Sequence, residues 1–270
     1  MNEIKPKIIL TFDLEYWHES IFLKRYLSGA IEENISESVK DLLALLKKFN
    51  ASATFFILGK LAEKYPEAVK EISLGHEIAS HGFSHLPLHL LNEKEFEEEI
   101  IQTNAILKNI TGQNPSGFRA PAFSLNKKTS WALDVLIRQE FKYDSSVFLF
   151  KNGIYGETDF LAVSRPNLKS LPPAVYKKSF LKIPVAGGIY WRFLPYFIFK
   201  FFIKRMAKKE TPVIYFHNHE LFGINKQIKK NIKCPFWKKW LKFKGVGNIL
   251  KFEKLLKDFQ CVSIKERFNL

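Results

Sequence analysis

The chain has 270 residues, of which 46% are hydrophobic and 26% charged; this describes a globular protein that buries its own core and excludes disordered and collagen-like chains. Its two cysteines, Cys234 and Cys261, exclude a disulfide scaffold and a cysteine zinc finger and fit a reducing compartment. The formal charge of +15 is unevenly spread: residues 1–150 hold 17 Lys/Arg against 20 Asp/Glu, net −3, and residues 151–270 hold 25 against 7, net +18. A basic half of this kind points to an anionic partner such as a membrane surface, nucleic acid or a phosphorylated substrate. The competing reading is genomic base composition, since 35 Lys stand beside 7 Arg and 26 Phe.

Strands and helices alternate along the chain. Lys7–Phe12 is a short apolar run ending at Asp13 and reads as a buried strand. Ser36–Phe49 places Val39, Leu42, Leu43, Leu46 and Phe49 at helical spacing. Ala53–Leu58 is β-branched and aromatic, hence a strand that Gly59 stops. Pro66–Leu74 is a helix with Pro at its start and Gly75 past its end. Glu77–Ser80 is a short strand. Asn92 and Glu95 form a capping box for the acidic helix Glu93–Lys108. Then follow strand Ser116–Arg119, helix Lys128–Gln139, strand Phe141–Asp144 and strand Leu181–Val185. Helix Pro195–Lys209 carries Lys200, Lys204 and Lys208 on one stripe. Strand Val213–His217, helix Asn248–Phe259 and strand Cys261–Ile264 close the chain. This order predicts an α/β fold with a parallel sheet or barrel and helices outside. The run Phe193–Phe202 is interrupted by Pro195 and Lys200 and is too short to span a bilayer. The N-terminal segment lacks the pattern of a signal peptide, so the expectation is a soluble, cytoplasmic protein. The basic half then offers peripheral contact with an anionic membrane. The sequence does not set the oligomeric state.

Several strands end in a chemically capable residue: Asp13, His81, Arg119, Asp144 and His217. That edge of a parallel α/β fold is where ligands bind. Asp13 and Glu15, two apart on an extended strand end, point the same way. Two such carboxylates call for a metal or a shared proton, unless the strand end is simply solvated. In His81-Gly82-Phe83-Ser84-His85, one helical turn places both imidazoles on one face. Two imidazoles and one carboxylate suit a divalent metal with an open position, most simply zinc; His76 and His89 lie nearby as decoys. Arg119, before Ala120-Pro121, can clamp Asp13 bidentately. His217 can serve as a general acid, with His219 as its rival on the same side. Together these groups specify metal-assisted hydrolysis of an amide or ester. GxSxG, P-loop and GxGxxG motifs are absent.

The order TFDLE, SHGFSH, FRAP, YDSS and YFH resembles the polysaccharide deacetylases with NodB homology, the family four carbohydrate esterases, over nearly the whole chain. FRAPAFSLNKKTSWALDVLIRQEFKYDSSVF and PVAGGIYWRFLPY resemble the branch associated with exopolysaccharide synthesis. The resemblance implies a distorted (β/α) barrel of about seven parallel strands, as one NodB-homology domain over residues 1–270. It implies removal of N-acetyl groups from acetylated amino sugars with a divalent ion, most simply Zn2+. Asp13 then matches the general base, Arg119 the residue that orients it, and His217 the general acid. His81 and His85 match the metal histidines. Asp144 falls where an acidic residue supports the acid histidine or lines the groove. Many members have adjacent aspartates; here Leu14 intervenes, and Glu15 becomes the third ligand. Phe123 falls where a backbone N–H can stabilise an oxyanion. Phe83, Tyr16, Trp17 and Trp191 are candidates for stacking on sugar rings. The missing signal peptide favours a lipid-linked or nucleotide-linked precursor over a mature wall polymer. The alternatives are a related barrel hydrolysing a small non-sugar amide and a carbohydrate- or lipid-binding homologue with weak turnover. Nucleic-acid binding has only the charge in its favour and no recognition motif.

Overall fold

The computed structural model describes residues 5–16, 34–150, 163–178, 181–223 and 244–270; Trp17 and Cys234 lie outside them. The sheet is built around β1 (Lys7–Leu14), buried from Ile8 onward, as befits a strand covered on both faces. β1 pairs in parallel with β2 (Thr54–Ile57) through Thr11–Leu14 and with β9 (Val213–His217) through Ile9–Asp13. Beyond β2 the parallel order continues through β3 (Glu77–Ser80), β4 (Gly117–Phe118), β5 (Tyr143–Asp144) and β6 (Lys169–Ser170). The closing strand β10 (Gln260–Val262) pairs with Lys7–Ile9 of β1, ending two residues before β2 begins its pairing at Thr11. It brings the sheet to eight strands among the described residues. Parallel bridges Pro173–Val213 and Gly187–Tyr215 carry the chain after β6 back to β9, giving the distorted barrel.

One expected strand belongs elsewhere. β8 (Leu181–Pro184) pairs antiparallel with β7 (Val175–Lys178), outside the main sheet. So short a separation cannot hold the crossover that a parallel partner needs.

The helices follow the sequence pattern closely. α1 (Ser36–Lys48) buries Val39, Leu42, Leu45 and Leu46. α2 (Gly59–Lys64) begins at the glycine expected only to end β2. α3 (Pro66–Ser73) has Pro at its first turn. α4 (Glu93–Thr111) carries the Asn92/Glu95 capping box and stops at Gly112, in the left-handed region at φ 77°. Among the described residues, α5 (Trp131–Arg138), α7 (Tyr196–Ala207) and α9 (Ile249–Asp258) follow the expected helices, whereas α6 (Gly188–Phe193), α8 (Asn218–Phe222) and α10 (Ile264–Phe268) are not marked by the sequence pattern. Aromatic side chains join β1, β2, β9, α6 and α9: Phe12 stacks on Phe55 at 5.0 Å, and Phe216 meets Trp191 at 5.0 Å and Phe252 at 5.2 Å. Among the described residues no helix is long and apolar enough to cross a membrane.

Candidate active site

Strand register assembles the site. Asp13 lies opposite His217 across the β1–β9 pair. Ser80 lies opposite Phe118, and Phe118 opposite Asp144. His81 and Arg119 therefore leave neighbouring strands at the C-terminal edge that also carries Asp144.

Glu15 follows β1. One of its carboxylate oxygens, Oε2, is 2.5 Å from His85 Nε2 and 3.5 Å from His81 Nε2. Ligand atoms of the three residues all lie within 4.8 Å of one another, and all three residues are buried. His81 Nδ1 meets the Arg119 carbonyl at 2.6 Å. The carbonyl accepts from Nδ1–H, so Nε2, the nitrogen that faces Glu15, is the one that could give up its proton to ligate an ion. Burial works to raise the Glu15 pKa, but the His85 and His217 charges and hydrogen bonds from His81 and His85 hold it well below the ordinary value. A desolvated carboxylate facing two imidazoles, one with its tautomer fixed, fits a divalent ion.

The two histidines do not share a helical turn. The segment between them is irregular, with Gly82 at φ 78° and His85 at φ 63°. These left-handed residues reverse the chain and bring the imidazole centroids to 5.6 Å. Neighbouring helices hold the loop in that shape. Glu99 of α4 accepts from the Phe83 N–H at 3.1 Å, the Ser84 N–H at 3.4 Å and the Ser84 hydroxyl. Gly59 at the start of α2 donates to the Gly82 carbonyl at 2.9 Å. Only glycine allows this approach, since a Cβ at position 59 would lie 2.6 Å from the Phe83 ring and 2.7 Å from Thr103 Oγ1. His76 and His89 are not in the metal group; burial pushes His76 down to about 4.

Asp13 and Arg119 form a buried pair, Arg119 NH1 donating to Asp13 Oδ1 at 2.6 Å. The contact is single rather than bidentate. NH1 also donates to Thr11 Oγ1 at 3.0 Å, NH2 to Ser145 Oγ at 2.9 Å and Nε to the Ser145 carbonyl at 3.3 Å. The guanidinium lies 4.1 Å from the centre of the Phe56 ring. The fork is shared among three residues, which leaves the second Asp13 oxygen outside the clamp.

His217 closes the site from β9. Its Nε2 is 3.4 Å from Glu15 Oε1, and its Nδ1 is 3.3 Å from Glu220 Oε2. The His217 backbone N–H donates to the same Glu220 oxygen at 3.1 Å. Glu220 is buried on α8, with Arg192 of α6 at 3.5 Å from its other oxygen. Burial works to lower the His217 pKa, but Glu15 and Glu220 raise it to about 9. Burial works against the Glu220 charge, yet His217 brings that carboxyl down to about 2.

The carboxylate that meets His217 Nδ1 is thus Glu220 rather than Asp144. Asp144 instead accepts from the Ser146 N–H at 3.1 Å and from the Ser146 hydroxyl. Ser146 Oγ in turn accepts from the Ala120 N–H at 2.7 Å, so Asp144 braces the turn that carries Arg119. Burial pushes it up to about 6. Glu220 had one signal in the sequence, its place three residues after His217 at the start of a helix. His219 does not turn out to solvent; its ring stacks on His217 at 5.2 Å, and burial with the His217 charge drives it down to about 3.

Two expected auxiliary roles change. The Phe123 N–H donates to the Ala120 carbonyl at 3.2 Å within a short 3-10 turn, so it is engaged rather than open to an oxyanion. Trp191 is fully buried against Phe199 and Phe216 and is core rather than sugar platform. Tyr16 is largely buried, and Phe83 stays partly exposed.

On one edge of a (β/α) barrel the fold thus gathers a Glu/His/His group that could hold a metal ion, an Arg-held carboxylate and a carboxylate-backed histidine. The family description "Polysaccharide deacetylase" matches residues 2–138, and the chain belongs to that family. Residues 145–269 match the domain of unknown function DUF3473, the family name of the exopolysaccharide-associated branch. A peptidoglycan-N-acetylglucosamine deacetylase of Bacillus cereus is 40% identical over 100 residues, 36% of each chain. The match therefore spans about a third of that relative's length. The solved Bc1960 peptidoglycan N-acetylglucosamine deacetylase overlays 98% of this chain and 89% of its own at TM-score 0.53 and 20% identity. A family four pseudoenzyme of Bacillus anthracis overlays 97% of this chain and 65% of its own at TM-score 0.54 and 14% identity. At these identities the overlays establish the fold, and the side chains must carry the chemistry.

Proposed function

We propose that the protein is a metal-dependent hydrolase that removes N-acetyl groups from an acetylated amino sugar in a polysaccharide or glycan precursor. The observation that carries this reading is the convergence of Glu15, His81 and His85 within 4.8 Å beside the Asp13–Arg119 pair and His217. The names of the relatives, deacetylases of N-acetylated peptidoglycan sugars, supply the substrate class.

Glu15, His81 and His85 would hold the ion, for which zinc suits two imidazoles and one carboxylate. When bound, it supplies a Lewis acid that polarises the amide carbonyl and acidifies a water molecule. Asp13 takes the proton of the attacking water, and Arg119 holds its carboxylate in place. His217 delivers a proton to the departing nitrogen from the opposite side, with Glu220 fixing Nδ1–H and directing Nε2 into the site. Asp144 acts on this reaction through Ser146 and the Arg119–Ala120 turn. Residues 1–270 work as one unit on this reading, supported by the 3.4 Å approach of His217, from the second matched region, to Glu15 in the first. The proposed address is the cytoplasm, with which a chain of two cysteines is consistent.

Acetate release from a panel of N-acetylated glucosamine oligomers and small non-sugar amides tests the assignment. Turnover on the oligomers is expected. Turnover confined to small amides would move the protein to the related amide-hydrolysing reading, and glycan binding without acetate release would make it a binding homologue.

A further inference from the structure

The outer face of α7 is composed unlike the rest of the described surface. The helix turns Phe199, Ile203 and Met206 into the core. Its opposite face exposes Phe197 at 72% and Phe201 at 53%, and Phe193 at the end of α6 is exposed at 37%. Phe197, Phe201 and Arg205 follow one another at four-residue spacing, so they form one stripe along the axis. The Arg205 guanidinium lies 5.4 Å from the centre of the Phe201 ring. Residues 193–210 contain Lys200, Lys204, Arg205, Lys208 and Lys209 against the single acidic residue Glu210. Among the described residues Lys200 meets a carboxylate, Asp258, at 2.8 Å. Exposed aromatic rings lose free energy to water, and nothing in the packing of α7 requires them there.

We propose that this face docks the protein onto an anionic phospholipid bilayer, with Phe193, Phe197 and Phe201 entering the interface and Lys204, Arg205 and Lys208 meeting the headgroups. The pattern is that of an interfacial helix, with aromatic rings on the membrane side and basic residues beside them. Charge complementarity selects the occupant. A neutral apolar partner would gain nothing from the row of cations, and an acidic macromolecule alone would leave the phenylalanines in water. The stripe lies on a single outward helix face, which suits a planar interface better than insertion into a partner's groove. Phe193 adjoins Arg192, the residue beside Glu220, so docking would hold the site-bearing segment close to the lipid surface.

Sedimentation of the full-length protein with vesicles tests this directly. Vesicles of equal parts phosphatidylcholine and phosphatidylglycerol should bind the protein, and pure phosphatidylcholine vesicles should bind it far less. F197S/F201S should bind at least about tenfold more weakly, the loss expected from two part-buried rings, with an unchanged thermal unfolding midpoint. K204E/R205E should weaken binding in low salt, and high salt should erase that difference. Failure of the wild type to bind anionic vesicles would overturn the proposal. Equal binding by F197S/F201S would also overturn it, showing attraction by charge alone. A wild-type dimer in solution that F197S/F201S abolishes would assign the face to a second copy of the chain instead.

Discussion

Replacing Asp13 by Asn separates the chemistry of the site from its architecture. The Asp13 carboxylate is 3% exposed and meets a guanidinium that is fully buried, at 2.6 Å. Removing one partner of a buried ion pair costs about 3–5 kcal/mol, because the other charge is left uncompensated. Asparagine keeps an acceptor oxygen at that position, and Thr11 Oγ1, Ser145 Oγ and the Ser145 carbonyl still accept from Arg119. The cost of Asp13→Asn should therefore fall near the value of one charge-assisted hydrogen bond, about 2 kcal/mol. For a chain of this size that is roughly a 4–8 °C drop in Tm, and Asp13→Ala should lose more. Asparagine cannot accept the proton of the attacking water, so turnover should fall by about 10²–10⁴-fold while the bound metal is kept. Calorimetry, metal analysis and acetate release on the same preparation read the three quantities. In the Asp13→Asn background, Arg119→Met should cost less than it does in the wild type, because the charge it removes is already unpaired. Near-normal turnover in Asp13→Asn would refute the base assignment, and additive effects of the two substitutions would refute the buried pair.

His81→Ala and His85→Ala should each lower bound zinc below one equivalent and abolish turnover while leaving the circular dichroism spectrum unchanged; full metal content in either would remove that residue from the site. Glu220→Gln should retain metal yet lower kcat by up to the 10²–10⁴-fold of a general acid, whereas Asp144→Asn should act mainly on stability through Ser146. The opposite ranking would return the supporting role to Asp144. In metal-free protein His217 has a pKa of about 9, raised over its ordinary 6.5 by Glu15 and Glu220 against the pull of burial. Its stabilising contribution is present below pH 6.5 and is lost as pH rises through about 9. Unfolding midpoints should fall across that window, and His217→Ala should flatten the fall; an unchanged slope would show that the imidazole is not held by those carboxylates.

Much of this was legible in the chain before any coordinates, and for physical reasons. A strand buried on both faces is written as a continuous apolar run, so β1 and β9 show plainly, and the polar residue ending each run marks the edge where the sheet opens. The helix starts at Pro66 and Asn92 are equally local, whereas the helix that begins at Glu93 runs on to Thr111, three residues past the Lys108 at which the sequence pattern stops it. What failed depends on contacts distant in sequence or on backbone detail. The convergence of His81 and His85 comes from left-handed residues at Gly82 and His85 and from support by Glu99 and Gly59, none of which a four-residue spacing reveals. Arg119 divides its donors among Asp13, Thr11 and Ser145 because three strands and a loop converge on it. The choice of Glu220 over Asp144 as the partner of His217 turns on α8 beginning immediately after β9, so that a residue three positions on folds back over the imidazole.

Acetate release from an N-acetylated glucosamine oligomer, followed in full-length protein stripped by chelator and then given one equivalent of zinc, tests the central claim most directly. Stripped protein should release no acetate, and a single equivalent should restore turnover in the wild type but not in His81→Ala. Turnover that survives chelation, or that zinc restores equally in His81→Ala, would contradict a reaction built on Glu15, His81 and His85.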